Sequence, residues 1–205
     1  VDTQGGAVRF ANRIMKDSHE GGYGVISIRR AFELSSNVGI SKIIHRAYHE
    51  KPQQFIEKLY SMHLNKKLGL DIPGEGNPSI KDTKSKIWSK VSLPWMSIGY
   101  EVAMTPLQTL AFYNAVANNG VMVKPQFIRE IRMAGETVQS FEPVILCESI
   151  VKNKETITQV KSLLEGVVER GTATNLKNPV FKIAGKTGTA QIAQNNSGYN
   201  KSNYK

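Results

Sequence analysis

Apolar positions recur at helical spacing through much of the first half of the chain. Residues 26–34 place Ile28, Ala31 and Phe32 on one side, which predicts a helix. Ser35-Ser36-Asn37 interrupts the stripe, and residues 38–49 resume it with Ile40, Ile44, Ala47 and Tyr48 at i, i+4, i+7 and i+8. Pro52 suits the first turn of a third helix running to about residue 64, because its missing N–H would have no helical partner there. Residues 1–24 are glycine-rich and read as loop, with a short amphipathic piece over 8–15. Residues 65–98 hold Gly69, Pro73, Gly74, Gly76, Pro78 and Pro94 and read as irregular.

The second half carries clearer punctuation. Thr105-Pro106-Leu107-Gln108 is a helix start: Thr caps, Pro fits the first turn, and Gln reaches back to the cap. That helix should run to Ala117, with Asn118-Asn119-Gly120 as a left-handed stop. Residues 128–133 and 138–141 flank Ala134-Gly135-Glu136-Thr137 and predict a hairpin. Asn153 caps a helix whose stripe is Ile157, Val160, Leu164, Val167 and Val168, and Gly171 ends it. Residues 180–184 alternate and are β-branched enough for a strand. Helices early and strands late predict an α+β fold rather than alternating βαβ units.

Composition narrows the classes. An apolar fraction of 40% with 21% charged residues is that of an ordinary globular chain, and 205 residues suit one domain or two small subdomains. Cys147 is the single cysteine, so the chain holds no internal disulfide and no cysteine-based zinc site. No run approaches the ~18 apolar residues of a membrane span. The opening Val1-Asp2-Thr3-Gln4-Gly5-Gly6 has no signal-peptide pattern, and the expectation is a piece of a longer protein. The net charge of +10 raises the question of nucleic acid, but the densest basic stretch, residues 81–90, holds four Lys and no run of five basic residues occurs. No nucleic-acid partner is expected. His45 and His49 stand at i, i+4, yet Arg46 follows His45 where a metalloprotease helix has Glu, so no metal and no cofactor is expected.

Two segments carry candidate chemistry: Ser35-Ser36-Asn37 between two helices, and Lys186-Thr187-Gly188-Thr189 after the predicted strand. Taken singly, the first is an N-cap and the second a turn. A phosphate-binding loop does not fit, since Val180 stands where its first glycine is required and no long helix follows. Taken together they match two of the three signatures of penicillin-binding proteins and class A β-lactamases, Ser-x-Asn and Lys-Thr-Gly. On these residues the chain resembles a class B penicillin-binding protein. Leu34-Ser35-Ser36-Asn37-Val38-Gly39-Ile40-Ser41-Lys42 resembles the division-type version of the second motif. Ser97-Ile98-Gly99-Tyr100-Glu101, Thr105-Pro106-Leu107-Gln108, Gly171-Thr172-Ala173 and Ala184-Gly185-Lys186-Thr187-Gly188-Thr189-Ala190-Gln191 are similar to further family segments. The resemblance covers residues 1–205 and implies part of the penicillin-binding protein and serine β-lactamase-like fold, a helical subdomain with part of an antiparallel sheet.

The resemblance also implies a chemistry. The family's nucleophile lies in a Ser-x-x-Lys before Ser-x-Asn, and none stands upstream of Ser35. Ser202-Asn203-Tyr204-Lys205 follows Lys-Thr-Gly and is read as coincidence. The expectation is therefore a partial transpeptidase domain over 1–205, inactive by itself, with the nucleophile before Val1 and further strands and a helix after Lys205. The implied reaction is acyl transfer from a D-Ala-D-Ala peptide through a serine ester to an amine. In it Ser35 would relay a proton, and Lys186 would supply fixed positive charge. Asn37 would meet the substrate amide, and Thr187 and Thr189 the terminal carboxylate. Gly188 would leave room at the strand edge, and the Thr189 N–H would serve the oxyanion. Ser36 is read as a loop residue turned away. The implied partners are peptidoglycan stem peptides, β-lactam antibiotics and cell-division membrane proteins. The implied location is the outer side of the cytoplasmic membrane in the bacterial envelope, held by an N-terminal anchor. Two alternatives share the fold: a D,D-carboxypeptidase or β-lactamase-type hydrolase, and a silent sensor or binding module.

Overall fold

A hairpin, not a helix, opens the chain. In the computed structural model, which describes residues 1–188, β1 (Ala7–Phe10) pairs antiparallel with β2 (Arg13–Lys16) in the register Ala7↔Lys16 to Phe10↔Arg13. The amphipathic piece expected within residues 8–15 is therefore a hairpin that buries one side chain from each strand, Phe10 and Met15. Strands thus precede the first helix, which corrects the expected order of helices early and strands late.

Three helices follow: α1 (Ile28–Glu33), α2 (Asn37–Tyr48) and α3 (Pro52–Ser61). The stretch expected to be irregular contains two short elements, β3 (Ser79–Ile80) and α4 (Ser92–Met96), and β3 pairs with β4 (Val102–Ala103). Then comes α5 (Pro106–Ala117). Its capping box forms as read: Gln108 N–H donates to Thr105 Oγ1 at 3.2 Å, and Thr105 N–H donates to Gln108 Oε1 at 2.8 Å. Asn119 at φ 53° and Gly120 at φ 95° end it in the left-handed region. β5 (Met122–Val123) pairs with β8 (Ile145–Cys147), and β6 (Glu130–Met133) forms the expected hairpin with β7 (Glu136–Ser140). The long helix α6 (Lys154–Arg170) follows, with Asn153 as its cap, and a 3-10 turn spans Thr174–Leu176.

The core runs along α6. Ile157 and Leu164 pack with Ala115, Val116, Met122 and Ile150 near its first half. Val167 and Val168, both without exposed surface, pack with Ala173, Phe32 and Ile183 at its end. Burying each such side chain stabilises the fold by roughly 1.5–3 kcal/mol. One helix thereby fixes α5 at one end and α1 at the other. Among the described residues every sheet is a two-stranded antiparallel pair, and no helix is long and apolar enough to cross a membrane.

The strand expected over residues 180–184 is not formed. Val180 is 86% exposed and Phe181 60%, and the N–H groups of both donate to Asn178 Oδ1, a side-chain turn. A strand exists only through a ladder, and no described segment offers this one a partner. Ile183, packed on Val167 and Val168, and Gly185 N–H, which donates to Leu164 O at 3.2 Å, tie the segment to α6.

Candidate active site

The site is assembled on the break between α1 and α2. α1 ends with Ser36 N–H donating to Ala31 O at 2.9 Å, and Ser35 takes φ 53°. A left-handed residue at this position is usually Gly, and a non-glycine there carries about 1–3 kcal/mol of strain. Ser36 is the N-cap of α2: its Oγ accepts from Gly39 N–H at 2.9 Å and donates to the Asp17 carboxylate at 3.1 Å. Asp17 Oδ1 also accepts from Val38 N–H at 2.9 Å, placing a negative charge at the helix N-terminus, where the dipole favours it. Asn37 Nδ2 donates to Lys16 O at 3.0 Å. The Ser-x-Asn turn is therefore pinned to the end of β2 by two neighbouring residues. Ser36 is turned away, as read, but it is 1% exposed and belongs to the scaffold rather than to a loose loop.

Lys186 reaches this turn from the other side of the chain. Its Nζ donates to Ser35 Oγ and, at 3.1 Å, to Thr187 O. Ser35 Oγ lies 3.2 Å from Thr187 Oγ1, and Thr187 Oγ1 lies 2.6 Å from Thr172 Oγ1. Thr172 Oγ1 in turn is 3.5 Å from Ser35 Oγ. The ammonium stands 5.7 Å from the centre of the Phe32 ring, and burial lowers its pKa below the ordinary lysine value. Among the described residues no carboxylate forms an ion pair with it. A cation that no described carboxylate pairs, set against three hydroxyls that each donate and accept, can hold an anion and pass a proton along the cluster.

Residues 2–205 match the model of the penicillin-binding protein transpeptidase domain. The chain belongs to that family. It is 31% identical to penicillin-binding protein PbpB of Mycolicibacterium smegmatis over 194 residues, covering 91% of this chain and 29% of that protein. It is 28% identical to stage V sporulation protein D of Bacillus subtilis, covering 83% of this chain and 26% of that protein. The crystal structure of apo penicillin-binding protein 3 from Mycobacterium tuberculosis superposes with a TM-score of 0.79 at 28% identity, over 97% of this chain and 45% of that one. The resemblance to division-type class B penicillin-binding proteins is borne out, and so is the α+β transpeptidase fold. The chain spans less than a third of the length of these two relatives.

For a transpeptidase-family chain, the structure sorts the sequence expectations plainly. It brings Ser35, Lys186 and Thr187 together across 151 positions, with Gly188 beside them and, among the described residues, nothing within 4 Å of where a Cβ would stand. Asn37 instead spends one donor on β2; among the described residues its other donor and its carbonyl carry no hydrogen bond. Thr189 lies outside the described residues, as does Ser202-Asn203-Tyr204-Lys205. The chain carries another Ser-x-x-Lys, Ser149-Ile150-Val151-Lys152, and the structure removes it from the site. Ser149 Oγ donates to Val151 O at 2.7 Å just before α6, whereas Thr172 follows its end. A helix of 17 residues at ~1.5 Å each puts roughly 25 Å between them.

Three contributors had little or no sequence signal. Asp17 is remote in sequence from the turn it braces. Thr172 lies in a family-like triplet without an evident task. Glu33 is fully buried beside the turn, announced only by Arg30 three residues before it. The two histidines stack ring on ring at 5.0 Å with Phe10 5.1 Å from His45, and Trp95 meets Phe10 edge-on at 6.4 Å. These are packing contacts.

Proposed function

We propose that residues 1–205 are part of the transpeptidase domain of a peptidoglycan D,D-transpeptidase, with a serine nucleophile supplied by a Ser-x-x-Lys segment outside this sequence. The observation that carries the reading is the Lys186–Ser35–Thr187 cluster. In the proposed reaction that serine attacks the penultimate carbonyl of a D-Ala-D-Ala stem peptide. The C–N bond breaks, the acyl group stays on the serine as an ester, and terminal D-Ala leaves with a proton. Ser35 relays this proton, since its hydroxyl donates and accepts. Lys186 offsets the developing negative charge and, as a neighbouring cation, disfavours protonation of the Ser-x-x-Lys lysine. Thr187, with Thr189, receives the peptide's terminal carboxylate. Asn37 meets the backbone amide with its remaining donor and carbonyl. Gly188 lets the peptide approach the backbone as an added strand. The amine of a second stem peptide then attacks the ester, forming the cross-link and releasing the serine.

A β-lactam acylates the same serine under this reading. The related Mycobacterium tuberculosis protein has been crystallised with ampicillin and with aztreonam, which supports it. The same reading places the domain on the outer face of the cytoplasmic membrane, tethered by an N-terminal anchor and working with cell-division membrane proteins. The test is to incubate the intact protein with a pentapeptide ending in D-Ala-D-Ala and a D-amino acid acceptor. Exchange of the terminal residue, seen by mass spectrometry, is the expected result. Hydrolysis without exchange identifies a carboxypeptidase instead, and no reaction with peptide or penicillin identifies a silent module.

A further inference from the structure

The carboxylate of Glu33 has no exposed surface, and Glu33 stands two residues before Ser35 in sequence. Arg30 Nη1 donates to Glu33 Oε2 at 2.9 Å. Arg170, the last residue of α6, donates from Nη2 to Oε1 at 2.6 Å and from Nε to Oε2 at 3.2 Å. Arg30 Nη1 also donates to the Arg170 carbonyl at 2.9 Å. The two helix ends are therefore clamped through one buried carboxylate, held by a two-bond fork from Arg170 that lysine does not reproduce and by a single bond from Arg30. The backbone closes on the same residue: Thr172 N–H donates to Glu33 O at 3.2 Å.

The fit leaves no slack. A Cβ on Gly166 would lie 2.2 Å from Glu33 Oε1, and one on Gly171 would lie 2.3 Å from Glu33 O. Glycine at both positions is what allows the end of α6 to close over Glu33. Immediately after that closure comes Thr172, whose hydroxyl reaches Thr187 Oγ1 at 2.6 Å and Ser35 Oγ at 3.5 Å.

We infer that Glu33 is a positioning residue of the site, acting through Thr172: by clamping α1 to the end of α6 it holds the Thr172 hydroxyl on the Ser35–Thr187 pair. This rests on the transpeptidase reading for its catalytic consequence, while the positioning itself is a property of the fold. The test is a double-mutant cycle in the intact protein, read as the rate of acylation by a fluorescent penicillin. Glu33→Gln and Thr172→Val are each expected to slow acylation about tenfold, and the double variant to be no slower than Thr172→Val alone. Losses that multiply, or a Glu33→Gln protein that acylates at the wild-type rate, overturn the inference. Should Glu33→Gln not fold, Arg170→Lys on the half-exposed partner enters the same cycle with the same expectations. Hydrogen exchange at the Thr172 amide supplies a readout independent of activity. It is expected to accelerate about tenfold in Glu33→Gln relative to wild type while the Lys161 amide in the first half of α6 is unchanged. If the wild-type intact protein takes no penicillin, the transpeptidase reading fails, and the exchange rate decides the positioning by itself.

Discussion

Ser36 and Asp17 divide the first free N–H groups of α2 between them, Gly39 to the hydroxyl and Val38 to the carboxylate. Removing the hydroxyl leaves the Gly39 N–H unpaired and strips Asp17 of a donor. Ser36→Ala should therefore destabilise the fold by about 1–2 kcal/mol, near the upper end for a lost cap, seen as a lower midpoint in urea at unchanged slope. Half of this arrangement is legible in the sequence, because serine before an amphipathic stripe reads as a cap. Asp17 is not legible, since the contact comes from a hairpin 19 residues away. Glu33 gives a second prediction at this scale. Burial pushes its carboxyl up, but hydrogen bonds from Arg30 and Arg170, with their charges, outweigh that and hold it below the ordinary 4.5. A carboxyl with a depressed folded pKa contributes stability that is complete above the unfolded value and lost as pH falls through the folded one. Unfolding followed below pH ~4.5 should show a steeper loss for wild type than for Glu33→Gln, and parallel curves would contradict the clamp.

At the scale of elements, α6 decides where the site stands, because its two ends hold α5 and α1. Gly166 tests how tightly. Alanine in a helix interior gains about 1 kcal/mol over glycine, so an open position would be stabilised by Gly166→Ala. Here the added Cβ lies 2.2 Å from a carboxylate oxygen that two arginines hold in place, and overpacking of this kind costs about 1–3 kcal/mol. The expected result is a lower melting temperature; a higher one would mean that Glu33 yields easily. The helices of this fold are readable where local signals are strong: α5 carries a capping box, and α6 an Asn cap with a 3.6-residue stripe that is its buried face, whereas α2 buries Val38, Gly39 and Ser41 rather than the stripe read for it. The strands were less readable for a physical reason. β1 and β2 are four residues each and bury one side chain apiece, Phe10 and Met15, too little to announce a strand amid glycines. The β-branched run at 180–184 has strand propensity, but without a neighbouring ladder it forms no strand, and Val180 and Phe181 stay exposed.

For the whole molecule, the candidate site was legible as two short motifs and invisible as a geometry. Ser35 and Lys186 share no local signal; their family spacing brought them together on paper, and the closure of α6 over α1 brings them together in space. The hydroxyl of Thr172 joins them through that same closure, which no motif encodes. The 205-residue chain alone, with no Ser-x-x-Lys upstream of Ser35, should give no labelled band at 22.7 kDa with a fluorescent penicillin. The most direct test of the central claim uses the intact protein and compares its rate of penicillin acylation with that of Lys186→Ala. Loss of one preorganised electrostatic donor should slow acylation by about 10²–10³, whereas an unchanged rate would show that the Lys186–Ser35–Thr187 cluster is not the acylation site.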